Sequence, residues 1–122
     1  HTAAPGKLFL AHMAEPEREK CFASLSFEKF TPHTLTTPNA LLSEVKGVLE
    51  DGYAFDREEE MIGQICIASG VFNRSGRIIG AIWMVAPTNR VPRKDLPVLG
   101  EVVRSHADSI SLKFGYSQLR VA

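Results

Sequence analysis

The chain has 122 residues, 44% of them hydrophobic and 23% charged, which is the composition of one folded globular domain and excludes a disordered chain. Fourteen basic residues balance fourteen acidic ones, so there is no charge excess of the kind that binds nucleic acid or an anionic membrane. No apolar run approaches the roughly 20 residues needed to span a bilayer. Two cysteines, Cys21 and Cys66, are too few for a disulfide framework, which favours a cytoplasmic location.

Two short helices are predicted in the first 25 residues. A Pro-Gly step precedes apolar residues at helical spacing, which predicts a helix over Gly6 to Met13. Its first amides could hold an anion, although most helix starts bind nothing. Pro16 is typical of a second helix start, and Cys21, Phe22 and Leu25 follow at helical spacing. Because the chain opens on a turn without an initiator methionine, we expect that the beginning of the domain has been removed.

A polar connector and a third helix follow. The connector runs from Phe30 to Pro38, and we expect its His33 to be solvated. Thr37 and Pro38 suit the N-cap and first position of an amphipathic helix, and Gly52 suits its end. Beyond it, Glu58, Glu59 and Glu60 form an acidic cluster, which is predicted to be a solvated loop surface.

A β-hairpin is the clearest element of the sequence. Two runs rich in branched and aromatic residues, Ile65 to Phe72 and Arg77 to Ala86, flank an Asn-Arg-Ser-Gly turn. If the turn closes tightly, Phe72 pairs with Arg77, Ala68 with Ala81 and Cys66 with Trp83. One face then carries a packed core, and the other alternates very small and very large side chains, which could leave a hollow for a ligand. The first face holds Ile65, Ile67, Val71, Ile78, Ile82 and Met84; the second holds Cys66, Ala68, Gly70, Phe72, Ile79, Ala81, Trp83 and Val85.

A last helix is predicted from apolar residues that recur every three or four positions between Leu96 and Phe114, with Gly115 as its end. It should cover the β-branched face of the hairpin. A hairpin with two apolar faces is not stable alone, so further strands must come from the segment near Tyr53, from upstream sequence or from a partner.

The residues give little support for catalysis. A Cys66 nucleophile would need a histidine base in a recognisable arrangement, and none is present. Zinc held by His1, Asp56 and Cys66 is chemically sensible, but the spacing matches no standard pattern of ligands. We therefore expect neither a metal nor another cofactor, and a binding module is favoured over an enzyme.

A set of motifs runs in order along nearly the whole chain. They are His1–Ala11 (HTAAPGKLFLA), Thr31–Thr34 (TPHT), Gly52–Glu59 (GYAFDREE) with Gly63, Cys66–Ala68 (CIA), Gly76–Arg77, and Pro87. Individually loose, together they resemble the effector-binding domain of IclR-type transcriptional regulators. The resemblance implies an α+β fold, a GAF-like or profilin-like antiparallel sheet flanked by helices, here lacking its first strands. It also implies that residues 1–122 are one partial domain, and that a winged helix-turn-helix outside this chain contacts DNA.

The resemblance further implies a pocket for a small organic acid. In the family, such acids are held by loop amides before the Gly-Lys helix, by an aspartate, by a cysteine and by two serines on the second hairpin strand. Both serine positions are apolar here and Pro5 has no N–H, so we expect an aromatic or apolar acid rather than a small keto acid. Carried over by position, the effector-binding residues are Ala4, Pro5, Gly6, Asp56, Cys66, Ala68, Trp83 and Val85.

Three functions remain open at this point. The resemblance implies a ligand-sensing and oligomerisation domain, commonly dimeric or tetrameric, whose effector alters operator binding allosterically. The alternatives are a GAF-like enzyme acting on a small molecule, and a structural oligomerisation domain with Trp83 plugging its pocket.

Overall fold

The computed structural model describes residues 1–117, in which four α-helices surround a three-stranded antiparallel sheet. In chain order the elements are α1 (Ala4–His12), α2 (Glu15–Ser24), α3 (Pro38–Asp51), β1 (Ala54–Arg57), β2 (Gln64–Phe72), β3 (Ile78–Pro87), a 3₁₀ turn (Arg93–Asp95) and α4 (Leu96–Lys113). The sheet order is β1-β2-β3. The predicted α+β class is confirmed, and the segment near Tyr53 supplies the third strand. None of the helices described is long and apolar enough to cross a membrane.

The residues at the helix ends explain where the helices begin and end. The Thr37 side chain accepts a hydrogen bond from the Ala40 N–H at 3.2 Å and so caps α3, as predicted. The helix ends at Gly52, whose φ of 84° lies in the left-handed region that glycine adopts without strain. Proline occupies the first turn of all four helices, where its missing N–H costs no hydrogen bond.

The predicted hairpin is present, but its predicted register was wrong by two residues. Cys66 pairs with Val85 and Ala68 with Trp83, instead of Trp83 and Ala81. The reason lies at the turn: Phe72 pairs with Ile78 and Val71 with Gly80, which leaves one extra residue, Ile79, as a bulge on β3. Because the shift over most of the hairpin is an even number of residues, those side chains keep their predicted faces.

Each face of the sheet is covered by a different set of helices. As predicted, α4 covers the β-branched face, where Leu96 and Val103 pack with Ile65 and Ile67. One residue was assigned to the wrong face: Ile78, which follows the turn, packs in the opposite cluster. That second cluster fills much of the expected hollow with residues of α1 and α3. Its buried members are Ala4, Leu8, Leu10, Ala11, Leu41, Val45, Val48, Ala54, Cys66 and Ala68.

The β3 strand remains the open side of this architecture. Among residues 1–117 no strand pairs with its outer edge. Trp83 and Val85 are 57% and 53% exposed, while the paired residues Ala68 and Cys66 are buried. The helices therefore cover this face over β1 and β2 and leave it open on β3 at Trp83 and Val85.

Candidate functional site

The site predicted from the sequence falls on the α1 side of the sheet. Asp56 pairs with Cys66, and Cys66 pairs with Val85, so these three residues form one row across the strands. Ala68 and Trp83 belong to the next row on the same face. The remaining three predicted residues form the first turn of α1. Sheet register therefore gives five of the eight residues a common face.

Burial divides this site into two parts. Ala4 and Ala68 are fully buried, and Asp56 and Cys66 keep 5% and 7% of their surface. Pro5 and Gly6 are half-buried. Trp83 and Val85, by contrast, are among the exposed large hydrophobic residues. A buried polar end thus adjoins an open apolar end; binding of an effector there stays a prediction.

Asp56 is a buried carboxylate that accepts a hydrogen bond from a nearby backbone N–H. Its Oδ1 accepts the backbone N–H of Glu59 at 2.8 Å. Burial raises the pKa of Asp56, and the hydrogen bond from Glu59 and the positive charge of Lys7 oppose that rise. The carboxylate therefore has a fixed orientation and is held in a poorly solvated position.

Cys66 lies beside Asp56 and is kept protonated. Burial, followed by the neighbouring charge of Asp56, raises the pKa of the Cys66 thiol to about 11, against the opposing effect of Lys7. A nucleophilic cysteine needs the thiolate form, which a positive environment or a base favours. Cys66 can line a pocket or donate a weak hydrogen bond, and its environment opposes covalent chemistry.

A buried ion pair adjoins the site, and the sequence analysis missed it. The prediction that Glu59 lies on a solvated loop surface was wrong, because Glu59 is 4% exposed and Lys7 is fully buried. Lys7 Nζ lies 2.6 Å from Glu59 Oε2. One signal could have found Lys7: in a helix it falls on the same side as Ala4 and Ala11, three residues after one and four before the other. Its partner is 52 residues away and had no local signal.

The zinc alternative finds no support. The imidazole Nε2 of His1 lies 2.9 Å from the Glu28 carbonyl oxygen, and the ring packs beside Phe27 and Phe30. Over residues 1–117, no three His, Cys, Asp or Glu side chains cluster so that they could hold a metal ion. His33, in agreement with its prediction, is exposed.

Comparison with known proteins identifies the family of this chain. Residues 1–112 match the sequence model of the bacterial transcriptional regulator IclR C-terminal family. The chain belongs to this family. The recognition made from its motifs is therefore confirmed, and the family is one of transcriptional regulators rather than enzymes.

Matches to individual proteins support the family assignment. The chain is 33% identical over 115 residues to the HTH-type transcriptional repressor AllR of Escherichia coli strain K12, a match that spans 94% of this chain and 42% of the repressor. The C-terminal domain of the E. coli regulator KdgR is 32% identical, with a TM-score of 0.84, over 94% of this chain and 70% of that one. An Acinetobacter PobR inducer-binding domain, solved as a double mutant in complex with 3-hydroxybenzoic acid, is 27% identical, with a TM-score of 0.82, over 91% of this chain and 64% of that one.

Proposed function

We propose that this IclR-type domain senses a small hydroxylated aromatic acid and passes that signal to a DNA-binding domain. The observation that carries the proposal is the row of Asp56, Cys66 and Val85 across the sheet, which joins a buried polar end to an open apolar one. Such an arrangement suits a ligand that has polar groups on a flat apolar body.

The first turn of α1 is the proposed site for the acid group. The first hydrogen bond of this helix runs from the Lys7 N–H to the Ala3 carbonyl at 3.0 Å. The N–H groups of Ala4 and Gly6 therefore have no acceptor within the helix, whereas Pro5 offers none. Free amides at a helix start favour an anion, so they are suited to a carboxylate.

Asp56 is the proposed partner of a ligand hydroxyl. An ionised carboxylate only accepts hydrogen bonds, and a phenolic hydroxyl can donate one. The acid group at α1 and the hydroxyl at Asp56 would then fix the two ends of the ligand. Trp83 and Val85 would pack on its ring, since both are apolar and exposed.

The chemistry of the effector follows from two sources. Where the family places serine hydroxyls, Trp83 and Val85 offer apolar surface, which disfavours a small keto acid. The PobR domain, solved with 3-hydroxybenzoic acid, has the same fold at 27% identity. Both support an aromatic acid over pyruvate or glyoxylate.

The regulatory part of the proposal concerns protein outside this chain. The chain spans 42% of the length of the AllR repressor, whose name describes a helix-turn-helix protein. We propose that a winged helix-turn-helix precedes this domain in the whole protein, that the first strands of the domain pair with β3, and that the whole assembles as a cytoplasmic dimer or tetramer. Effector binding would then change operator affinity by favouring one arrangement of the domains.

Calorimetric titration of the purified protein tests the effector class. We expect 3-hydroxybenzoate to bind at least about tenfold more tightly than pyruvate or glyoxylate. Trp83→Ser should weaken binding of 3-hydroxybenzoate by about tenfold, because an aromatic contact contributes about 0.5–1.5 kcal/mol beyond buried area. The control is Val98→Ser, which removes an apolar side chain on α4 that is also more than half exposed, and it should change nothing.

Two results would contradict the proposal. Tight binding of pyruvate or glyoxylate without preference for the aromatic acid would refute the effector class. A protein that shows no thermal stabilisation by any small carboxylate or aromatic compound would support a structural oligomerisation domain instead.

A further inference from the structure

A buried lysine connects helix α1 to the segment that follows β1. Lys7 is fully buried, and its Nζ donates to Glu59 Oε1 and Oε2 at 2.7 and 2.6 Å and to the Phe55 carbonyl at 2.7 Å. Removing an ammonium group from water is costly unless ion pairing and hydrogen bonds offset the loss. A lysine at this position therefore makes a specific connection that apolar packing would not supply.

Glu59 extends the connection to Asp56. Its backbone N–H donates to Asp56 Oδ1 at 2.8 Å, and its Oε2 accepts the Arg57 N–H at 3.0 Å. Between them, Glu58 has a φ of 59°, a conformation that residues other than glycine rarely adopt. The direction of the Asp56 carboxylate thus depends on a strained turn, which Lys7 fixes through the Glu59 side chain.

The connector between α2 and α3 holds the same turn independently of Lys7. The hydroxyls of Thr31 and Thr34 donate to the carbonyls of Glu58 and Glu59 at 2.6 and 2.5 Å. Loss of Lys7 alone would leave these two bonds in place. The turn should therefore shift without unfolding when the lysine is replaced.

Lys7 also follows directly on the residues proposed to hold the acid group of an effector. It comes immediately after Gly6, in the same turn of α1 as Ala4. One end of the proposed site is thus in the helix turn that carries Lys7, and the other end is Asp56, to which Lys7 is linked through Glu59. Lys7 therefore contacts the elements that carry both ends of the proposed site.

We propose that Lys7 is a positioning residue of the effector site: through Glu59 it fixes the direction of the Asp56 carboxylate relative to the first turn of α1, and so sets selectivity for hydroxylated acids. The selectivity rests on the function proposed above. The orientation of Asp56 requires no ligand and can be measured separately.

The ligand-free test is an NMR titration of the Asp56 side-chain carboxyl. The charged groups that face it are Lys7 from α1 and Glu60 from the turn, and the neutral Cys66 thiol of β2 also lies beside it. In Lys7→Met, which keeps an unbranched side chain one atom shorter and removes its charge, we expect a changed carboxyl chemical shift and a higher pKa of Asp56. The control is Lys46→Met, the same change at an exposed position of α3. An Asp56 signal and pKa equal to those of wild type in Lys7→Met would overturn the proposal.

The ligand test compares 3-hydroxybenzoate with benzoate, which lacks the hydroxyl. We expect Lys7→Met to reduce the ratio of the two affinities by about tenfold, to the ratio found in Asp56→Asn, because the ligand hydroxyl loses a hydrogen bond to a charged group in both variants. The combined variant should show no further loss of selectivity. A purely structural lysine would instead weaken both ligands equally and leave the ratio unchanged, which would overturn the proposal.

The test also covers a protein that binds neither ligand and a variant that does not fold. If wild type binds neither compound, the proposed function fails and the ligand-free titration alone decides the role of Lys7. If Lys7→Met does not fold, Lys7→Met/Glu59→Leu replaces it, because the second change removes the buried Glu59 carboxylate that Lys7→Met leaves without its cation. This double variant should show the same change in the Asp56 signal, and a wild-type signal would refute the positioning role.

Discussion

Two helical glycines should respond in opposite directions to the same substitution. Gly100 lies in the interior of α4 and is buried against the ring of Tyr53. A Cβ placed on Gly100 would lie 2.6 Å from Tyr53 Cε2 and 2.7 Å from Cδ2, closer than real Cβ contacts come. Gly47 lies in the interior of α3, and a Cβ there would meet nothing within 4 Å.

The surroundings of each glycine determine how much alanine changes the free energy of unfolding. Alanine in a helix interior is favoured over glycine by about 0.8–1 kcal/mol, so Gly47→Ala should raise the free energy of unfolding by about that amount. Gly100→Ala gains the same term but overpacks the interface, which costs typically 1–3 kcal/mol. Tyr53 cannot easily move aside, because it is buried and its ring packs edge-on against Phe55 at 5.4 Å. Gly100→Ala should therefore be about 1–3 kcal/mol less stable than Gly47→Ala.

Urea unfolding followed by far-ultraviolet circular dichroism measures both variants. Tryptophan fluorescence is a poorer probe, since Trp83 is already more than half exposed in the folded state. With an m-value of roughly 2 kcal/mol per molar urea, Gly47→Ala should raise the midpoint by about half a molar. If Gly100→Ala stabilised the protein as much as Gly47→Ala does, α4 could not pack against Tyr53 as closely as described.

Three other predictions concern the site. Lys7→Met should cost about 3–5 kcal/mol in the free energy of unfolding, because it leaves Glu59 buried without its cation, and Lys7→Met/Glu59→Leu should recover most of that loss. A single variant within about 0.5 kcal/mol of wild type would show that the pair is not buried in solution. Burial raises the pKa of Asp56 above its value in the unfolded chain, so the fold favours the protonated carboxyl. The contribution of Asp56 to the free energy of unfolding is therefore most favourable below the unfolded pKa and is lost as the pH rises through the folded pKa. Asp56→Asn should therefore be more stable than wild type near pH 7 and equal to it near pH 3; a difference independent of pH would argue against this titration. Finally, with the pKa of Cys66 raised to about 11, iodoacetamide should modify Cys66 more slowly than the half-buried Cys21 near pH 8, as mass spectrometry of digested protein would show. Equal rates would mean that Cys66 is accessible and ionised.

Some features of the candidate site could be predicted from the sequence, and others could not. Alternation along β2 and β3 placed Cys66, Ala68, Trp83 and Val85 on one face, and that assignment survived a wrong register because the error was two residues. The exposure of Trp83 was not predictable in the same way. It depends on how far α1 and α3 extend over the sheet, which no residue near Trp83 in the chain specifies.

Elements with local signals could be predicted from the sequence. Thr37 and Gly52 mark the ends of α3, and helical spacing after Leu96 marks α4, because capping and periodicity act over a few neighbouring residues. The bulge at Ile79 and the burial of Glu59 could be seen only in the folded structure. An acidic residue in a loop is solvated by default, and it becomes buried here only because folding brings an ammonium group from 52 residues away to meet it.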